Sequence, residues 1–362
     1  MGVENYKMTL KPLSLLSMAA LGLMMVSRVN AQQDPYYTHY NFVRPLYNPA
    51  AIGLDGKWCA FGISHSQYMG LEDRTPLYET PNNPKMQAVP GVGPKTNGAG
   101  VSIPINKFNR STGESKNYGG AGLIFYNDRL GYEVNNVVRG QLAYRYFMDE
   151  ESSIALGVDV GYLQKGLDGA KLRAIDPNDP FIPTGLESDG GVTASFGLFY
   201  NNQRFNNLIV GLSSTNLLPH DYRFGANGNV FSRTARHYYM LGSMEFTNFI
   251  GNPALTLMPS VLFKYNAKFQ ADATALVEYM ETISGGLGYR SISDALSLMF
   301  GYKYKGVRVG LSYDVTLSRL RKVSNGTFEI VANYCWVIVP PPPPGIIPIL
   351  TPLWIDRESS QE

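Results

Sequence analysis

The stretch SIALGVDVGY, residues 153–162, decides the fold. Its even positions are Ile154, Leu156, Val158, Val160 and Tyr162; its odd positions are Ser153, Ala155, Gly157, Asp159 and Gly161. A period of two puts these sets on opposite faces of a strand, one apolar and one small or polar. The split recurs from Val307, where Val309, Leu311, Tyr313, Val315 and Leu317 alternate with Arg308, Gly310, Ser312, Asp314 and Thr316. It recurs again around 138–146, 192–200 and 296–303. Working outward gives about fourteen strands of roughly nine to fourteen residues. They begin near Lys57, Gly98, Tyr118, Val134, Ser152, Gly191, Asn207, Ala235, Ala254, Gln270, Ile283, Ala295, Val307 and Thr327.

A soluble β-sandwich also alternates, but its strands average roughly five or six residues and its outer faces are densely charged. Here only 17% of 362 residues are charged, while 37 Gly, 24 Tyr, 17 Phe and 3 Trp fill the space. Soluble chains carry about 25% charge. Strand length and aromatic strand ends fit an all-β transmembrane outer-membrane barrel of about 14 antiparallel strands, whose lipid face is girdled by aromatics. Closure is demanded because lipid offers no water to an unpaired strand edge. After residue 31 no apolar run could cross a bilayer as a helix, since Trp336 to Ile355 holds seven prolines. Thirty-one basic against 29 acidic residues leave a net charge of +2, which speaks against a nucleic-acid partner.

The front of the chain carries an address. Lys7 and Lys11 precede an apolar run from Leu13 to Val26, and Val29-Asn30-Ala31 supplies small residues where a signal peptidase reads, so cleavage is expected after Ala31. The expected organisation is a signal peptide over 1–31, a periplasmic segment over 32–56, the barrel over 57–339 and a proline-rich periplasmic tail over 340–362. The longest connections, Met69 to Asn97, Lys165 to Gly190, Asn216 to Ala235 and Ser318 to Thr327, all follow odd-numbered strands. Those connections therefore share one end, expected outside, and the tight turns share the other. Lys107 to Lys116 is a longer exception among the tight turns.

A search for chemistry finds little. His39, His65, His220 and His237 share no metal-ligand spacing and read as interfacial or loop residues. Gly285-Gly286-Leu287-Gly288 lies on a strand with no helix to follow, so it is not a phosphate loop. Ser64-His65-Ser66 is the only local candidate for a hydrolase, and a weak one. No catalytic, cofactor-binding or metal residues are assigned, and the protein is read as no enzyme. Arg139, Arg145, Asp159, Glu278, Arg290, Lys303, Arg308, Asp314 and Glu329 share the lumen phase, as a water-lined interior or a salt-bridged plug. Cys59 and Cys335 fall on the first and last strands, which closure makes neighbours. Cys59 shares its face with Phe61 and Ile63, taken as lipid-facing, whereas Cys335 alternates with Tyr334 and Trp336 and points inward. On that parity two free thiols are expected, because side chains on opposite faces cannot meet.

The segment QDPYYTHYNFVRPLYNPAAIG, ending at Gly53, resembles the opening of the PorP/SprF family, which reads QDP, aromatics, then NPLY-like and NPAYAG-like runs. Pro45-Leu46-Tyr47-Asn48-Pro49-Ala50 and Gly53 match; Arg44 stands where Asn is usual, and Ala51-Ile52 where Tyr-Ala is usual. Asn325 to Ile330 with Asn333-Tyr334 resembles the family's NGTHEIMLSY end, and Gly286 to Arg290 its GLGYR strands. The proline-rich tail extends past that end. The resemblance implies a non-catalytic outer-membrane component of type IX secretion or gliding. Its implied partners are the periplasmic PorK/PorN ring and a peptidoglycan-binding partner, or a large surface adhesin, besides outer-membrane lipid. Partner binding is expected at the termini, on Asp34, Tyr40, Tyr47, Asn48 and Pro49 in front and on Ile346, Ile349 and Trp354 behind. The competing expectation is a transport channel, either hydrophobic-substrate or porin-like; a hydrophobic-substrate transporter would need a plug longer than this N-terminal segment and a greasy internal path, whereas the lumen phase here is charged.

Overall fold

The computed structural model describes residues 34–73, 89–108, 115–172, 183, 185–225, 228–266 and 268–338. Fourteen antiparallel strands form the wall. In chain order they are β1 (Trp58–Ser66), β2 (Lys95–Phe108), β3 (Ser115–Leu130), β4 (Glu133–Phe147), β5 (Ser152–Asp168), β6 (Leu186–Asn202) and β7 (Leu208–Thr215). The second half comprises β8 (His237–Ser243), β9 (Leu255–Tyr265), β10 (Phe269–Tyr279), β11 (Ile283–Arg290), β12 (Ala295–Tyr304), β13 (Val307–Thr316) and β14 (Thr327–Trp336). Each pairs with its neighbours in sequence, and β14 returns to β1 from Trp58↔Trp336 to Ser66↔Phe328. The ring is closed, so every described wall strand has a neighbour on both sides.

Alternation sets the two faces as expected on most of the wall. On β5, Ile154, Leu156, Val158, Val160 and Tyr162 are exposed to the outside, while Ala155 and Asp159 are buried within. Tyr144, Tyr146, Tyr279, Tyr302, Tyr304 and Tyr334 stand outward near the tight-turn end, as an aromatic girdle would. The tight turns use the backbone that two-residue hairpins require: Lys305 and Gly306 both have positive φ, at 46° and 85°. The long connections gather at the opposite end, where Asp221–Phe224 and Asn229–Arg233 pair as a small hairpin. Between β2 and β3 the ladder continues to Phe108↔Ser115, so strand takes up both ends of the longer connection expected there.

Two expectations fail, for one reason. The N-terminal segment does not stand outside the barrel: from Asp34 to Asp55 it runs through the lumen, and Tyr37, Tyr40, Val43, Leu46, Tyr47, Ala50 and Ile52 are buried there. The lumen therefore contains an apolar core, and on β1 the apolar face turns inward to join it. Phe61 and Ile63 belong to that core, while Trp58, Ala60, Gly62, Ser64 and Ser66 occupy the outward face. Cys59 thus points inward together with Cys335. The two are directly opposed in the β1–β14 register and form a disulfide, contrary to the free thiols expected.

Candidate functional site

The lumen and its plug form the site. Residues 34–56 have partners on every strand from β1 to β11 and on β13 and β14. At the long-loop end, the Asp34 carboxylate accepts from Thr215 Oγ1 at 3.1 Å, Asn216 Nδ2 at 3.1 Å and the Tyr239 hydroxyl at 3.0 Å, with His237 Nδ1 at 3.4 Å. Burial opposes its charge, but His237, Arg139 and these hydrogen bonds outweigh burial and hold the carboxyl below its usual range.

One buried carboxylate fixes the next turn. Glu329, on β14, accepts from the Thr38 and His39 backbone N–H groups at 2.8 and 2.7 Å. His39 Nδ1 and His65 Nδ1 each lie 2.9 Å from its oxygens. Beside it, Arg290 Nη1 donates to Asp314 at 2.9 Å and Nη2 to Thr38 Oγ1 at 2.9 Å; Lys264 pairs with Asp272 at 3.0 Å. The Arg290 guanidinium also sits 4.4 Å from the centre of the Tyr36 ring. This half of the lumen is the salt-bridged plug of the two alternatives left open by the sequence. The histidines are reassigned accordingly: His39, His65 and His237 are buried lumen groups, and only His220 belongs to a loop, 3.5 Å from Asp189.

Below this layer the Asn48-Pro49-Ala50 turn docks on the wall. Asn48 Nδ2 donates to the carbonyls of Leu198 and Leu212 at 2.9 and 3.2 Å, and its Oδ1 accepts from Ala50 N at 2.9 Å. Glycine makes the approach possible. A Cβ on Gly197 would lie 1.9 Å from Asn48 Oδ1, one on Gly157 2.2 Å from Ala50 N, and one on Gly120 2.5 Å from Gly53 Cα.

At the tight-turn end the lumen opens into two adjoining cavities of about 320 and 290 Å³, which share Arg44, Leu54, Asp55 and Arg308. Arg145 lines one of them and Lys303 the other.

Asp34, Tyr40, Tyr47, Asn48 and Pro49 were expected to meet a partner; here the barrel wall covers them, and Tyr40 is only 1% exposed. Ile346, Ile349 and Trp354, like the signal peptide expected over 1–31, lie outside the described residues. Ser64 and His65 are split across the wall: Ser64 turns outward to Asn97 Oδ1 at 2.8 Å, and His65 turns inward to Glu329, so they cannot act as nucleophile and base. Among the described residues, one trio of potential metal ligands comes together, Asp55, Cys59 and Cys335; its sulfurs are joined in the disulfide, which leaves no thiolate to bind an ion. Missed altogether from sequence were Thr38 and His39 as plug anchors and Arg44 as a vestibule residue. Their signal was a wall carboxylate and interior glycines that lacked an occupant.

Solved structures similar to this chain include three proteins of low identity. The CymD monoaromatic hydrocarbon channel is 11% identical, with a TM-score of 0.47 over 82% of this chain and 93% of that one. The P. putida toluene transporter TodX is 10% identical, with a TM-score of 0.46 over 82% and 94%. The Acinetobacter baumannii outer membrane protein Omp33 is 9% identical, with a TM-score of 0.38 over 78% and 100%. At these identities the likeness is one of fold alone. No curated protein matches the chain. The family described as type IX secretion system membrane protein PorP/SprF matches residues 29–334, and the chain belongs to that family.

Proposed function

We propose that this protein is a non-catalytic docking barrel of the type IX secretion or gliding machinery, with its tight-turn end and C-terminal tail in the periplasm. There it links periplasmic components, such as the PorK/PorN ring and its peptidoglycan-binding partner, to the secretion or surface anchoring of cargo such as a large adhesin. The observation that carries this reading is the plug. A lumen whose own N-terminal segment is tied to Glu329 and Asp314 and, through Asn48, to the Leu198 and Leu212 carbonyls conducts nothing until that segment moves, which disfavours a transport channel. Binding work then falls to the ends of the barrel.

The tail is suited to such work. In the sequence five prolines from Pro340 precede an apolar run that holds Ile346, Ile349 and Trp354, the residues assigned to partner contact in this reading. The test is deletion of residues 345–362 in the native host. The barrel should still insert and keep its heat-modifiable mobility, while co-purification of secretion components or adhesin falls severalfold. Equal recovery of the same partners would refute the docking role of the tail.

A further inference from the structure

We infer that the vestibule at the tight-turn end is an anion site, built from Arg44 of the plug with Arg145 and Arg308 of the wall, that receives a carboxylate-rich segment of a partner protein. The two ends of the lumen differ in how their charges are paired. Toward the long loops, the buried carboxylates Glu329, Asp314 and Asp272 each have a cationic or histidine partner within 4 Å. At the opposite end three guanidiniums face cavities of about 320 and 290 Å³ without such a partner.

Arg145 Nη2 donates to the Leu54 carbonyl at 2.7 Å, and Arg308 lies over the Phe42 ring at 5.3 Å; neither contact neutralises charge. The Nε atoms of Arg44 and Arg145 are buried with no hydrogen-bond partner among the described residues. The nearby acids do not repair this. Glu245 accepts from Asn207 at 2.9 Å, Asp55 is exposed at the rim, and among the described residues neither comes within 4 Å of a guanidinium. Burial pushes the Arg44 guanidinium down from its ordinary value, and the more distant pull of Asp55 and Glu245 does not offset it.

The geometry favours carboxylates on an extended chain over one small ion. Arg145 on β4 and Arg308 on β13 lie on different strands of the wall, and Arg44, on the plug, lines both cavities as Arg308 does, with Arg145 in one of them. Successive acidic side chains could meet successive guanidinium forks, which bind carboxylates bidentately. The floor is anchored: Cys59 and Cys335 line it and are joined, so the rim holds its shape when a segment enters.

This inference rests on the reading that the tight-turn end faces the periplasm and docks protein, but its test needs only the purified full chain in detergent. A fluorescein-labelled hexaglutamate peptide is titrated by anisotropy, with hexaglutamine as control and inorganic phosphate as competitor. Binding of the glutamate peptide should weaken as salt rises and drop at least tenfold in the combined R44Q, R145Q and R308Q variant. R145Q and R308Q alone, which leave the plug sequence intact, should each lose severalfold; hydrogen exchange checks that the plug stays seated. Equal binding of hexaglutamine, or an unchanged affinity in the combined variant, overturns the site. Phosphate competing as tightly as the peptide would show an adventitious ion only. Peptide binding that appears only after residues 339–362 are deleted would make the chain's own acidic tail the occupant and overturn the partner. Failure here leaves the pull-down of secretion components untouched, so the two readings fail separately.

Discussion

Glu329 should hold the plug, and Glu329→Ala should release it. The carboxylate is fully buried and takes two backbone N–H donors and two imidazoles on its two oxygens. Adding four charge-assisted bonds would overcount, because the stripped donors share one recess. Removing one partner of a buried, hydrogen-bonded charge cluster costs about 3–5 kcal/mol. At 1.4 kcal/mol per tenfold, plug opening becomes roughly two to three and a half orders of magnitude more populated. Hydrogen exchange with mass spectrometry on the detergent-solubilised protein reads this directly. Protection across residues 37–52 should fall by that factor, while β4, β5 and β6 keep theirs. Glu329→Gln tests the charge itself: the shape survives, but one amide group then faces donors, and protection should again fall well over tenfold. Unchanged exchange over 37–52 in both variants, with the barrel intact, would refute the anchoring argument.

Three further outcomes follow from the same geometry. Gly157→Ala should unseat the Asn48-Pro49-Ala50 turn, because the new Cβ would meet Ala50 N at 2.2 Å; Gly140→Ala, whose Cβ meets nothing closer than 3.9 Å, should be silent in the same exchange measurement. The Asp34 anchor should persist as pH falls from neutral through the usual carboxylate range and fail only below it. A carboxyl whose folded pKa is depressed contributes stability above its unfolded pKa and loses it as pH falls through the folded value; exchange at Tyr36 and Tyr37 against pH checks the window. Reduction of Cys59–Cys335, which closes 276 residues, should add two reactive thiols by mass and lower the denaturation midpoint, with the chain-entropy model giving about 5.6 kcal/mol as a ceiling.

The wall was legible in the sequence because a period of two survives wherever lipid covers one face. β5, β9, β11, β12, β13 and β14 begin within a residue or so of the positions read from alternation alone. Parity failed on β1, where that covering rule does not apply. Assigning Cys59, Phe61 and Ile63 to lipid assumed a wet lumen, but their face packs on Tyr37, Leu46 and Tyr47, and the outward face carries Ala60, Gly62 and Ser64 instead. An error in one buried element thus propagated to the disulfide, since the inward or outward sense of a thiol is fixed by the face its neighbours occupy. The plug itself lacks periodicity: two short 3₁₀ turns at Arg44–Leu46 and Pro49–Ala51 are its only regular structure, so no repeat marks it in sequence. What marks it is a mismatch between two segments. Val43, Leu46 and Ile52 need cover that a free 25-residue periplasmic strand cannot supply, and Gly120, Gly122, Gly157 and Gly197 clear space on the lumen face that no barrel side chain fills. Apolar residues lacking a core and a wall of glycines lacking an occupant require one another, and that pairing places the segment inside the barrel.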